Sequence, residues 1–476
     1  MRILSISAEM VPWAKTGGLA DVAGALPGAL EALGHEVRAF VPLYERHVPA
    51  GLRLHAEGEP LDVPVGAHRV RVRIVRDPER PWARLVRCPG LFGRASIYGN
   101  GPDEHIRFLA FSRAALMAAR REGFVADIVH CHDWQAAMVP LDLRVHLRGD
   151  PVLGGARTLL TIHNMQYQGR FPAGILPDLG LGAARGLLHQ DQLRAGVVNF
   201  LLHGILYADG ISTVSPTYAR EIQEPVHGAG LDPFLRARSS TVVGVLNGID
   251  DAIWSPEADA LIPHRYSAAD LSGKALNRSA LRKAMGLGEQ DVPLFGIVSR
   301  LAAQKGFDLI PEALGGMLDR GELQLVVLGS GGRLLEQMFR ALARAFPRQV
   351  AFHHGFSNPL AHLIEAGADA FLMPSRYEPC GLNQLYSLRY GTPPVVYRTG
   401  GLADSVEPWH PGRRTGTGFV FEHHDAIGLR WAVGQAIRTW RDPEAWEALV
   451  HNGMAKDFSW RRQARIYDTL YTRLRS

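Results

Sequence analysis

Lys15-Thr16-Gly17-Gly18-Leu19-Ala20-Asp21-Val22, near the start of the chain, is echoed by Arg398-Thr399-Gly400-Gly401-Leu402-Ala403-Asp404-Ser405-Val406 near its end. Each copy follows an apolar, strand-like run, carries a cation before its glycines and leads into a helix-like stretch. A glycine pair lets backbone N–H groups approach an anion closely, and a helix N-terminus favours negative charge. Two such strand–loop–helix transitions read as two similar half-molecules serving one phosphorylated ligand.

Around each copy, short apolar or β-branched runs alternate with longer helical patterns, as stacked βαβ units require. Ile3–Ser7, Val37–Val41, Val70–Val75, Ile128–His130, Leu159–Ile162 and Gly210–Val214 read as strands of a first parallel sheet. Leu19–Leu33 and Phe108–Arg121 read as helices, with Pro27 expected to kink the former. The pattern starts afresh after Asn247-Gly248-Ile249-Asp250. Leu294–Val298, Leu323–Leu328, Val350–Phe352, Ala370–Met373 and Val395–Tyr397 then predict a second parallel sheet. The expected division is a Rossmann-like domain over 1–245, a second over 246–456 and a terminal helix over 457–476. Ile466, Leu470 and Leu474, at i, i+4 and i+8, predict that helix's buried face, which fits packing back on the first domain.

Composition narrows the class. The 476 residues are 46% apolar and 21% charged, enough for two packed cores. A net charge of +5 suits acidic ligands, but no Lys/Arg-rich run marks a nucleic-acid partner. Cys88, Cys131 and Cys380 are odd in number and far apart, which argues against a disulfide framework and for a reducing compartment. The chain enters a strand at once, with no leader pattern and no membrane-length apolar run, so a cytoplasmic protein without a membrane partner is expected.

The first glycine loop is not a P-loop, because Lys15 precedes its glycines, and no G-x-G-x-x-G follows the first strand. Arg300 stands at the carboxyl end of a predicted strand, where open α/β sheets bind ligands, and Lys305 lies five residues on. Together they offer a guanidinium fork and a mobile ammonium for a diphosphate. Glu378, after Ala370–Met373, cannot bind phosphate and is better suited to sugar hydroxyls. His130-Cys131-His132-Asp133 lacks the second ligand pair that zinc spacing requires, so Asp133 is read as a polar substrate contact and no metal is expected. His163 stands at another strand terminus, Cys380 is a lone thiol near the same motifs, and Gly329-Ser330-Gly331-Gly332 is a weak glycine signal, a turn by default with phosphate or base contact as the alternative.

Taken in order, these motifs resemble the bacterial-type glycogen/starch synthases, the ADP-glucose-dependent branch of the GT-B glycosyltransferases. The resemblance runs through Lys15–Val22, His132-Asp133-Trp134-Gln135, Thr161-Ile162-His163-Asn164-Met165-Gln166-Tyr167-Gln168-Gly169 and Val214-Ser215-Pro216-Thr217-Tyr218-Ala219. It continues through Leu246-Asn247-Gly248-Ile249-Asp250, Ser299-Arg300-Leu301, Gln304-Lys305-Gly306, Glu378-Pro379-Cys380-Gly381-Leu382 and Thr415-Gly416-Thr417-Gly418-Phe419. It implies two Rossmann-like doubly wound domains facing a deep cleft. The implied reaction is retaining transfer of glucose from ADP-glucose to the 4-hydroxyl ending an α-1,4-glucan such as glycogen.

By the same resemblance Arg300 and Lys305 hold the donor diphosphate, with Lys15 and Gly18 on a loop closing from the other domain. Glu378 contacts the glucosyl hydroxyls, and His163 lies near the sugar and reacting centre. Asp21, Tyr98, Asp133, Asn164 and Asn247 are further cleft residues. Cys380, Gly381, Leu382 and Asn383 form the donor-side turn, and Thr399, Gly400 and Gly401 a loop beside it. Two departures stand out: Asn383 replaces a usual Thr, and Phe92–Asn100, around Tyr98, is shorter than its counterpart. A UDP-glucose enzyme of the same fold and a non-catalytic glucan-binding protein remain the rival readings. Oligomeric state is left open.

Overall fold

A strand buried on both faces needs a near-continuous apolar run, and the chain supplies such runs in two sets. The computed structural model describes residues 1–49 and 51–476. They form two units: Met1–Gly248 with Trp460–Ser476, and Ile249–Ser459.

In the first unit the strands are β1 (Arg2–Ile6), β2 (Glu36–Pro42), β3 (His55–Val65), β4 (His68–Asp77), β5 (Arg80–Arg87), β6 (Ile128–His132) and β7 (Arg157–Ile162). β8 (Arg170–Pro172), β9 (Val197–Asn199), β10 (Gly210–Thr213) and β11 (Val242–Gly244) follow. Nine of them form one sheet in the order β11-β10-β7-β6-β1-β2-β5-β4-β3, while β8 and β9 pair separately. From β11 to β5 every neighbour is parallel. The edge departs from the all-parallel expectation, because β3, β4 and β5 form an antiparallel meander. The cause is loop length: Gly66-Ala67 and Pro78-Glu79 are too short for a parallel crossover.

The second unit holds β12 (Leu294–Val298), β13 (Gln324–Gly329), β14 (Val350–His354), β15 (Ala370–Met373), β16 (Pro394–Tyr397) and β17 (Phe419–Phe421). They lie in the order β14-β13-β12-β15-β16-β17, parallel throughout. One core packs Phe295, Ile297, Leu325, Val327 and Leu372 against Leu314 and Leu429 of the flanking helices.

The terminal helix, Trp460–Arg475, joins the first unit's core, where Trp460, Ala464, Tyr467 and Tyr471 pack with Ile3, Val22, Val37 and Ile128. Of the predicted inward stripe, Leu470 is buried and Leu474 packs on this core, but the remaining position differs. Ile466 is 41% exposed, and the two tyrosines take the inward positions on either side of Leu470. The helix Gly18–Glu31 continues through Pro27. No helix among the described residues is long and apolar enough to cross a membrane.

Trp460 lies where the chain re-enters the first unit, and its ring occupies the space a side chain at position 248 would need. Trp460→Ala removes this buried ring and should cost about 3–5 kcal/mol. A lowered urea midpoint checks this, and an unchanged midpoint contradicts it.

Candidate active site

Within its parallel strands each sheet reverses order at one point: β1 lies between β2 and β6, and β12 between β13 and β15. Loops leaving the carboxyl ends of such strands are where open α/β sheets hold ligands. The sequence-nominated residues fall into two clusters at these edges, one in each unit.

In the first unit, the chain leaving β1 reaches Glu9 and then the Lys15–Gly18 loop. Glu9 is 3% exposed. Its carboxylate accepts from the Thr16 backbone N–H, the Thr16 hydroxyl (2.6 Å), the Gly17 N–H (3.2 Å) and the Tyr98 hydroxyl (2.6 Å). The loop therefore does bind an anion through its N–H groups, but the anion is the protein's own. The Thr16 and Gly17 N–H groups are thus taken by Glu9. What the loop presents outward is Lys15, half-exposed, its ammonium 2.6 Å from Asp21 Oδ1. Burial raises the Asp21 carboxyl while Lys15 opposes the shift. A Cβ at Gly17 would meet nothing within contact distance, so packing alone does not require this glycine.

The loops after β6 and β7 meet at Asp133 and His163. Asp133 follows β6 with φ +55°, a left-handed conformation that Asp and Asn tolerate better than most residues. Its Oδ1 accepts the His163 backbone N–H at 2.6 Å. The Asn164 N–H also favours the ionised form, yet burial dominates and pushes the Asp133 carboxyl up to about 7. His163 is 8% exposed, and burial holds its imidazole well below the ordinary range. Asn164 turns its Oδ1 to the Gln166 N–H (3.0 Å), and Asn247 is buried in the same unit.

In the second unit, Lys305 Nζ lies 2.6 Å from Glu378 Oε2, which also accepts from the Ser375 hydroxyl at 2.9 Å. The β12 and β15 loops are tied by their backbones, with Arg376 N–H donating to the Gln304 carbonyl at 2.8 Å. Gly306, at φ +67°, makes the approach possible, since a Cβ there would stand 2.0 Å from the Pro374 carbonyl oxygen. Arg300 is exposed and makes no ion pair among the described residues. Asn383 gives its amide to the Val298 carbonyl at 2.5 Å, closing the end of β12.

The second glycine loop is packed, not open. Gly401 N–H donates to the Glu378 carbonyl at 3.0 Å. A Cβ at Gly400 (φ +42°) would reach that carbonyl oxygen at 2.0 Å, and one at Gly401 the Cys380 carbonyl oxygen at 2.1 Å. Thr399 and Cys380 are buried, Gly381 turns at φ +74°, and Leu382 packs beside Ile249, Leu385 and Tyr386. These residues shape the Glu378 loop from behind. Gly329 and Gly331 likewise pack on the Ser299–Leu301 backbone.

Sequence reasoning missed Glu9, Ser375 and the ring contact between His132 and His163. The signal for Glu9 was an acidic residue just past the carboxyl end of an apolar central strand. Ser375 was hidden by its commonness.

The chain matches a family model described as "Starch synthase catalytic domain" over residues 2–237 and one described as "Glycosyl transferases group 1" over 281–451. It is 47% identical to a glycogen synthase of Anaeromyxobacter sp. (strain Fw109-5), covering 100% of this chain and 99% of that one. It is 45% identical to a glycogen synthase of Myxococcus xanthus, over 99% of each. Among solved structures it resembles the catalytic domain of Arabidopsis thaliana starch synthase IV bound to ADP and acarbose. That match has a TM-score of 0.91, 35% identity and 99% coverage of both chains. Sucrose-phosphate synthase of Thermosynechococcus elongatus, at 18% identity and a TM-score of 0.62 over 99% of this chain and 98% of that one, shares the fold.

The raised Asp133 carboxyl sets a pH test. Between about pH 4 and about pH 7 the folded chain keeps a proton that the unfolded chain has released, so raising pH across this window lowers stability. Asp133→Asn keeps the acceptor and the backbone preference but removes the proton. The stability difference, wild type minus variant, should fall from pH 4 to pH 7 in urea titrations, whereas parallel profiles contradict the assignment.

Proposed function

Because this chain belongs to the glycogen and starch synthase family of GT-B glycosyltransferases, we propose that it transfers glucose from ADP-glucose to the non-reducing end of an α-1,4-glucan, with retention of configuration. The observation that carries this reading is the end-to-end likeness to glycogen synthases. The chemistry of the second unit's cluster agrees with it. Departure of ADP builds negative charge on phosphate, so the reaction needs cations already in place.

Lys305 fits that need because an ammonium has three donors and Glu378 uses one. Arg300 adds an exposed fork, without an ion pair among the described residues, suited to phosphate oxygens. With these cations facing the leaving group, we expect no metal requirement. Glu378, held at one oxygen by Lys305 and Ser375, is assigned to the glucosyl hydroxyls. Lys15 is assigned to the donor phosphates and His163 to the sugar, on the family likeness. No covalent nucleophile is assigned: a double displacement wants two carboxylates flanking the sugar, and no such pair is singled out. We favour a front-face route in which the leaving phosphate takes the acceptor's proton. Glycogen is the proposed acceptor and the cytoplasm the proposed location.

Labelled glucose should enter glycogen from ADP-glucose, and faster than from UDP-glucose; no transfer from either donor overturns the reading. Lys305→Ala should lower turnover roughly 10²–10³-fold at saturating donor. An unchanged rate removes Lys305 from the clamp while leaving the overall reaction standing.

A further inference from the structure

His130 and His132 alternate along β6 onto one face, and their rings stack with centroids 4.1 Å apart. Both are buried, at 1% and 0% exposure, and both are fully used. His130 contacts the Tyr471 hydroxyl through Nδ1 (2.8 Å) and the Thr161 hydroxyl through Nε2 (2.6 Å). Thr161 in turn meets the Ser212 hydroxyl at 2.6 Å. His132 contacts the Ser5 hydroxyl through Nε2 (3.4 Å) and, through Nδ1, Nε2 of His163 at 3.0 Å. Neighbouring strands β1, β6, β7 and β10 thus lock the two rings in place, with the terminal helix contributing Tyr471. Nδ1 of His163 makes no hydrogen bond with a described residue.

We propose that His132 is a positioning residue for glucosyl transfer: its Nδ1 contact fixes the ring orientation and the tautomer of His163, and so decides whether His163 Nδ1 offers the sugar a donor or an acceptor. The proposal rests on the reading that His163 faces the glucosyl group. Two neutral imidazoles sharing one hydrogen bond hold a single proton between them. If His132 Nδ1 carries it, His163 Nδ1–H is a donor. If His163 Nε2 carries it, His163 Nδ1 is an acceptor. Burial supports the neutral state of the pair, pushing His132 down to about 3 and His163 well below its ordinary range. Fixing the tautomer through the second ring nitrogen's partner is how an imidazole is given one role.

Two polar variants separate positioning from mere packing. The Asn amide reaches where Nδ1 stood, and the Gln amide where Nε2 stood. His132→Asn should keep turnover within a few-fold of wild type. His132→Gln should lower kcat roughly tenfold to hundredfold with KM for ADP-glucose little changed. Imidazole ¹⁵N spectra, with His163 assigned by its loss in His163→Ala, should show one dominant neutral tautomer in wild type and His132→Asn, and a redistributed one in His132→Gln. Equal kcat losses in both variants, or an unaltered His163 spectrum in His132→Gln, overturn the proposal. The spectra need no turnover, so an inactive wild type would defeat the glucosyl-transfer reading and leave the tautomer test decisive on its own.

Discussion

Every group this chain offers for chemistry stands on a loop leaving a parallel strand, and the tightest hold on any of those loops is the Glu9 carboxylate. Parallel pairing of β1 with β6 and of β12 with β15 forces successive loops onto the same sheet edge, but it does not by itself give them a shape. Glu9 does so for the first unit by accepting from two successive backbone N–H groups and two hydroxyls. In the second unit the Glu378 backbone takes the corresponding part, accepting the Gly401 N–H. The two glycine pairs are thus both fastened to a glutamate, one through a carboxylate and one through a carbonyl.

That fastening sorts the charges. With the Thr16 and Gly17 amides taken by Glu9, the first unit presents Lys15, paired with Asp21, as its half-exposed cation. The second unit presents Arg300 and Lys305, the latter steadied by Glu378. Behind His163 the first unit is the reverse, a neutral and buried assembly of imidazoles and hydroxyls. Cations outside and neutral hydrogen-bonding groups within suit a transfer in which an anion departs and a sugar must be held without adding charge.

Much of this was legible in the chain. Short β-branched apolar runs such as Leu325-Val326-Val327-Leu328 read as buried strands, and the repeated glycine motif marked two related units. The antiparallel edge escaped although Val70-Arg71-Val72-Arg73-Ile74 alternates apolar and charged residues, as a strand with one solvated face does; that alternation and the two-residue connections on either side both mark it. On the terminal helix Leu470 and Leu474 were placed correctly, but Ile466 was misjudged because aliphatic spacing was followed and Tyr467 and Tyr471 were not, although their rings bury fully against β6. Glu9, seven residues before Thr16, acts within its own loop and was passed over. The His132–His163 contact depends on β6 and β7 becoming neighbours, a long-range outcome which no local pattern encodes.

The most direct measurement follows the products of the wild-type reaction with ADP-glucose and a short α-1,4-glucan by proton NMR. The account predicts one ADP released for each new α-1,4 linkage, with no β-anomer formed. Release of free glucose without chain growth, or a linkage of inverted configuration, would contradict it.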